Sequence, residues 1–207
     1  MTSPVVFIVD DDPGIRQSLA ILLEMASFKS ECFASAEDFL SICGPHMAGC
    51  LLLDVRMPGM SGPELQKELA QRDVLLPIIF LTAHADLPTC VEAIKRGALD
   101  FLTKPIDGEL LLKHVADALR LDSSRHQKLE ASKQLRTCLL KLTGREREVL
   151  SLALSGLANK EISNHLQISQ RTVEGHRSRI FLKTGVNSFL KLAQMASESG
   201  AKLSEII

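Results

Sequence analysis

Between residues 5 and 121, five short apolar runs alternate with five amphipathic segments, and this alternation restricts the fold more than any other feature of the chain. VVFIV (5–9) precedes PGIRQSLAILLEMA, ECF (31–33) precedes AEDFLSIC, and CLLLD (50–54) precedes PELQKELAQ. PIIFL (77–81) then precedes PTCVEAIKRG, and ALDFLT (98–103) precedes GELLLKHVADALR. Apolar runs of this length suit strands covered on both faces, and strictly alternating strands and helices pair in parallel. The expectation is an α/β doubly wound sheet of five parallel strands. Local signals agree. Asp12 before Pro13 supplies an N-cap with proline in the first turn, Ser61 and Glu64 have capping-box spacing, and Asp86 precedes Pro88 in the same way. Gly97 is placed to end the fourth helix.

The fifth helical pattern, with Leu112, Val115 and Leu119 on one face, runs into LDSSRHQKLEASKQLRTC, which holds neither Gly nor Pro. Residues 122–141 therefore read as a helical linker. Leu135, Leu139 and Leu142 follow at i, i+4 and i+7, a stripe open to a partner surface or a coiled-coil contact. Residues 142–207 form a separate all-α unit. It opens on a second capping-box spacing, Thr143 with Glu146, and is expected to hold helices at 145–155, 159–166, 170–184 and 188–199, with Gly156, Gly185 and Gly200 as stops. The middle pair, NKEISNHL and QRTVEGHRSRIFLKT, is joined by the three residues QIS, which is the outline of a helix-turn-helix. The division is thus 1–121, 122–141 and 142–207.

Charge follows the same division. The net charge of −1 conceals −7 over residues 1–121, with 10 Lys and Arg against 17 Asp and Glu, and +6 over the remainder, with 14 against 8. An acidic module is joined to one able to meet a polyanion. The five cysteines form no Cys/His cluster at metal-ligand spacing and read as reduced thiols. No stretch approaches the roughly 20 consecutive apolar residues of a membrane span, and MTSPVVFIVDDD lacks a basic start and a cleavage site, so the expected location is the cytoplasm.

In a doubly wound sheet, functional groups gather beyond the carboxyl ends of the strands. Asp10 and Asp11 fall at the end of the first strand, Asp54 at the end of the third, Thr82 at the end of the fourth and Lys104 at the end of the fifth. Because Asp12 is the better helix cap, Asp10 and Asp11 are left for the crevice. Three neighbouring carboxylates repel unless a cation neutralises them, and an all-oxygen set favours Mg²⁺. With Mg²⁺ and Lys104 to neutralise charge, Asp54 is able to attack a phosphoryl group and form an acyl phosphate.

IVDDD (8–12), LLLDVRMPGMSG (51–62), FLTAHAD (80–86) and DFLTKP (100–105), in that order, resemble the receiver domain of bacterial two-component response regulators, a flavodoxin-like fold. The resemblance implies that Asp54 is the phosphoacceptor and that Asp10 and Asp11 hold Mg²⁺ with Asp54 and the Arg56 backbone carbonyl. It implies that Lys104 contacts the phosphoryl group, that Thr82 and Phe101 form a switch pair, and that Lys104-Pro105 is cis. Arg56 and His84 stand where side chains tune phosphoryl lifetime in that family. A sensor histidine kinase as donor and a homodimer formed on phosphorylation are implied as well.

On the 170–184 helix, Val173 and Ile180 share one face, and the opposite face carries Arg171, Glu174, Gly175 and Ser178 with Arg179 at its edge. Arg suits guanine, Glu suits cytosine, and Gly leaves room for a base. The segment LTGREREVLSLALSGLANKEISNHLQISQRTVEGHRSRIFLKTGV resembles the LuxR-type DNA-binding domain, so that the whole chain is similar to NarL/FixJ-type regulators, nearest the FixJ branch. The resemblance places Glu174, Gly175 and Ser178 on DNA. Thr172, Arg177 and Lys183 complete the candidate contact set, and Lys160, Lys183 and Arg145 read either as a solvated helix face or as phosphate contacts. Promoter DNA and RNA polymerase are the implied output partners.

An Asp nucleophile with Mg²⁺ also describes haloacid-dehalogenase-type phosphatases, which place a second acid two residues after the nucleophile. Here Arg56 stands in that place, so no enzyme beyond slow self-dephosphorylation is expected. A small-molecule-sensing LuxR regulator leaves the acid and lysine set unexplained. A receiver acting on RNA fits poorly with the helix-turn-helix.

Overall fold

A computed structural model of the chain describes residues 4–44, 47–83 and 87–200. Residues Met1–Ser124 and Arg125–Ile207 form two compact units. In the first, strands β1 (Val5–Val9), β2 (Lys29–Phe33), β3 (Gly49–Asp54), β4 (Ile78–Thr82) and β5 (Asp100–Thr103) alternate with helices α1 (Pro13–Met25), α2 (Ala36–Ile42), α3 (Gly62–Gln71), α4 (Leu87–Lys95) and α5 (Gly108–Leu140). All strand pairs are parallel, in the order β2-β1-β3-β4-β5.

Side chains of successive strand residues point to opposite faces, which divides the core in two. Phe7 and Val9 of β1, Leu51 and Leu53 of β3, and Ile78 and Phe80 of β4 pack with α2 and α3 through Phe39, Leu65 and Leu69. Val6, Ile8, Leu52, Ile79 and Leu81 pack with α1 and α5 through Leu19, Leu23, Leu111 and Val115. This two-sided burial is why β1, β3 and β4 read as unbroken apolar runs. β2 is an edge strand, half-exposed, and begins two residues earlier than expected because Lys29 and Ser30 carry no apolar signal. β5 begins at Asp100, two residues later than expected: Gly97 has φ +93 and Ala98 donates back to the Ala93 carbonyl, so both close α4 first. The Asp12 carboxylate accepts from the N–H groups of Gly14 and Ile15 at 2.7 and 3.3 Å, as the N-cap expectation requires. Asp86 and His84 lie outside the described residues. Lys104-Pro105 is cis.

One junction admits only glycine. Gly49 has φ +144, and a Cβ there would lie 1.8 Å from the Val5 carbonyl oxygen. Its N–H donates to the buried Asp122 carboxylate at 2.8 Å, which ties the start of β3 to α5. The neighbouring Cys50 thiol is pushed up to about 12 by burial and by Asp122, and is inert as a thiolate.

α5 runs unbroken through the expected linker, and its last turns belong to the second unit. There the structure corrects the sequence reading: Leu135, Leu139 and Leu142 are at most 3% exposed and sit in that unit's own core with Val149, Leu150 and Ile162, not on a partner surface. Helices α6 (Gly144–Leu154), α7 (Asn159–Leu166), α8 (Gln170–Thr184) and α9 (Phe189–Ser199) complete the unit. The Thr143/Glu146 box opens α6, Ser188 caps α9, and Gly185 ends α8 with φ +71.

Candidate functional site

The parallel register brings the carboxyl ends of β1, β3, β4 and β5 to one edge. Val9 is level with Leu53, Asp54 with Leu81, and Thr82 with Thr103, so the residues that follow these strands share a crevice. Asp10 is fully buried, Asp54 and Thr82 are about 5% exposed, and Asp11 is exposed. Carboxylate oxygens of Asp10, Asp11 and Asp54 lie within 4.8 Å of one another. The Lys104 ammonium donates to Asp10 Oδ2 at 2.7 Å and to Asp54 Oδ1 at 2.9 Å.

Burial pushes the Asp54 carboxyl above the usual carboxylate range, and the Asp10 charge adds to that, while hydrogen bonds from Lys104 and the Arg56 backbone N–H act in the other direction. Burial also works against the Lys104 ammonium, but its bonds to Asp10 and Asp54 prevail and hold it above its ordinary value. One lysine therefore faces three carboxylates. An all-oxygen cluster with excess negative charge, one acid of it solvent-accessible, fits a hard divalent cation.

Three further residues support the cluster and were not legible as such in the sequence. Arg16 donates from Nη1 to the Asp10 carbonyl at 2.6 Å, which fixes the backbone that turns into the crevice. Glu37 on α2 accepts from the Met60 N–H at 3.2 Å and holds the loop after Asp54. At Gly62 a Cβ would stand 2.3 Å from the Asp54 carbonyl oxygen and 2.9 Å from the Phe80 ring, so α3 starts against the end of β3 only because it starts with glycine. The Ser-Gly-Pro opening of α3 was the available signal.

Phe101, half-buried, stacks on Phe80, with centroids 4.9 Å apart and 17° between planes. Asp100 Oδ1 accepts from the Phe101 N–H, and its Oδ2 lies 2.9 Å from His114 Nδ1.

In the second unit, Val173 and Ile180 of α8 are fully buried, whereas Arg171, Thr172, Glu174, Ser178 and Arg179 are exposed and the space beside Gly175 is open. Six of the eight candidate DNA contacts thus share an open face. Arg177 and Lys183 differ. Arg177 donates to Asn159 Oδ1 at 2.5 Å and lies 4.7 Å over the Phe189 ring, which clamps α8 to α7 and α9. Lys183 pairs with the buried Glu146 at 2.6 Å. Lys160 is exposed, and Arg145 is bound to Glu148 and to the Leu166 carbonyl.

A parallel sheet with an acid cluster bridged by a lysine, joined to a helix-turn-helix unit, defines a response regulator with a DNA-binding output domain. Residues 6–116 match the family described as response regulator receiver domain, and residues 140–196 match the bacterial regulatory proteins of the luxR family. The chain belongs to the two-component response regulators that carry a LuxR-type domain. It is 40% identical over 191 residues to response regulator protein TmoT of Ectopseudomonas mendocina, covering 92% of this chain and 87% of that one. It is 38% identical over 200 residues to the transcriptional regulatory protein FixJ of Rhizobium meliloti (strain 1021), covering 97% and 98%. The solved structure of response regulator StyR superposes with a TM-score of 0.85 at 43% identity, covering 95% of this chain and all of that one.

Proposed function

We propose that this protein is a transcription factor switched by phosphorylation of Asp54, and that the bridge from Lys104 to Asp10 and Asp54 is the observation that carries the proposal. An Asp54 carboxylate oxygen attacks the phosphorus of a phosphohistidine on a sensor kinase. A P–O bond forms as the P–N bond breaks, and the leaving imidazole takes up a proton. Asp10, Asp11, Asp54 and the Arg56 carbonyl would hold Mg²⁺, which when bound supplies charge neutralisation for the phosphoryl oxygens. Lys104 supplies the second positive charge, and its two carboxylate partners aim it at the position the phosphoryl group will take. Nothing in this set favours turnover of free phosphoesters, so slow self-dephosphorylation is the only hydrolysis proposed.

Thr82, at the end of β4, and Phe101, one strand away, form the switch. The hydroxyl turns to the new phosphoryl group and the ring follows into the space behind it. Val91 and Ile94, about half exposed on α4, favour that face as the homodimer contact. Dimerisation would bring two copies of the open α8 face, with Arg171, Glu174, Gly175 and Ser178, onto half-sites of promoter DNA, where RNA polymerase is engaged. Among the described residues no helix is long and apolar enough to cross a membrane, which agrees with work in the cytoplasm. The test is phosphodonor treatment of wild type and Asp54→Asn. Dimerisation and a rise in DNA affinity are expected in the wild type only.

A further inference from the structure

The three acids of the crevice are not held alike. Asp10 is fixed at both carboxylate oxygens, Oδ1 by the Asp12 N–H at 3.0 Å and Oδ2 by Lys104 at 2.7 Å. Asp54 Oδ1 accepts from Lys104 at 2.9 Å. Asp11 is exposed, and among the described residues no hydrogen bond or ion pair holds its carboxylate. It nevertheless places an oxygen within 4.8 Å of the other two acids. Its backbone therefore sets its position, and the peptide that leads into it is clamped by a side chain. Arg16 of α1 donates from Nη1 to the Asp10 carbonyl at 2.6 Å. A peptide unit is planar, so a bond that fixes the direction of the Asp10 carbonyl also fixes the Asp11 N–H and Cα.

Charge neutralisation does not account for Arg16. Three carboxylates stand at the crevice, and a guanidinium placed to neutralise one would take it in its fork. Among the described residues Arg16 pairs with no carboxylate, and its donor goes to a neutral carbonyl instead. We infer that Arg16 is a positioning residue for the Mg²⁺ site. Its bond to the Asp10 carbonyl keeps the Asp11 carboxylate within reach of Asp10 and Asp54, so affinity for the ion depends on a side chain that is not a ligand. The inference rests on the proposed Mg²⁺ site.

The experiment titrates MgCl₂ into the unphosphorylated full-length protein and follows the amide resonances of the folded state, in wild type, Arg16→Met, Arg16→Lys, Asp11→Ala and the Asp11→Ala/Arg16→Met double variant. Arg16→Met is expected to weaken Mg²⁺ binding by about tenfold or more, as loss of a residue that orients metal ligands does. Charge alone has the opposite sign, because removing a cation beside the site would tighten the binding of another cation. Arg16→Lys keeps a donor and is expected to recover most of the affinity. In the Asp11→Ala background, Arg16→Met is expected to change the affinity by no more than about twofold, because the residue through which it acts is gone. Unchanged or tighter binding in Arg16→Met would overturn the inference and leave the Mg²⁺ site standing, and so would an undiminished effect of Arg16→Met in the Asp11→Ala background. Should the wild type itself bind no Mg²⁺, the proposed ion site fails and the role of Arg16 with it.

Discussion

Lys183 Nζ lies 2.6 Å from Glu146 Oε2, and that carboxylate also accepts from the Thr143 N–H that opens α6. Glu146 is 2% exposed. A residue that reads as a phosphate contact by position is therefore half of an ion pair that joins the end of α8 to the start of α6. Glu146→Ala removes a helix cap and strands Lys183, and is expected to destabilise the DNA-binding unit by about 2–3 kcal/mol in urea titration. Lys183→Met leaves the buried Glu146 carboxylate without its cation and is expected to cost about 3 kcal/mol.

The same pair sets an acid limit. Burial pushes the Glu146 carboxyl up, but hydrogen bonds from Lys183 and Thr143 prevail and hold it below the usual range. A carboxylate whose folded value is lowered stabilises the fold above its unfolded pKa, and that stability is lost as pH falls through the lower folded value. Below about pH 4.5 the unfolding midpoint of the second unit is thus expected to fall more in the wild type than in Glu146→Gln.

Asp54 has the opposite sign. Its carboxyl is raised, chiefly by burial, so the ionised form at neutral pH is held at the expense of stability. The contribution favours the fold only when the group is protonated, and it is lost as pH rises through the raised folded value. Asp54→Asn is therefore expected to raise the unfolding midpoint of the receiver at pH 7 while abolishing phosphorylation. A lower midpoint would contradict this account of the site.

Lys104→Ala leaves Asp10 and Asp54 buried without a cation. We expect the phosphorylation rate to drop on the order of 10²-fold, as when a single charge-stabilising donor is removed, and stability to fall by about 3 kcal/mol. Rate of phosphoprotein formation and denaturant titration check the two parts.

Arg171 and Arg177 are expected to separate. Arg171→Ala weakens DNA binding and lowers the salt slope by about 1 if it meets a phosphate, with stability unchanged. Arg177→Ala loses the Asn159 bond and the Phe189 ring, so it destabilises the unit by about 1–2 kcal/mol.

Much of this organisation is legible in the chain because its signals are local. Leu51 to Leu53 declare a strand buried on both sides, Asp12 and Thr143 declare helix starts, and the strand ends then place Asp10, Asp54 and Lys104 together. The illegible parts depend on what an element packs against. Leu135, Leu139 and Leu142 announce an apolar stripe but not whether the stripe faces a partner or the chain's own core. Arg177 sits on the flank of α8, and only the positions of Asn159 and Phe189 decide its direction. Lys29 and Ser30 join β2 through backbone pairing with β1, to which side-chain polarity is blind.

The most direct measurement is sedimentation of wild type and Asp54→Asn with Mg²⁺, with and without a small-molecule phosphodonor, read together with DNA affinity at one fixed salt concentration. Switching by phosphorylation of Asp54 predicts that the donor dimerises the wild type and tightens its DNA binding while the variant stays monomeric and unchanged. Equal dimerisation and tightening in Asp54→Asn would contradict it.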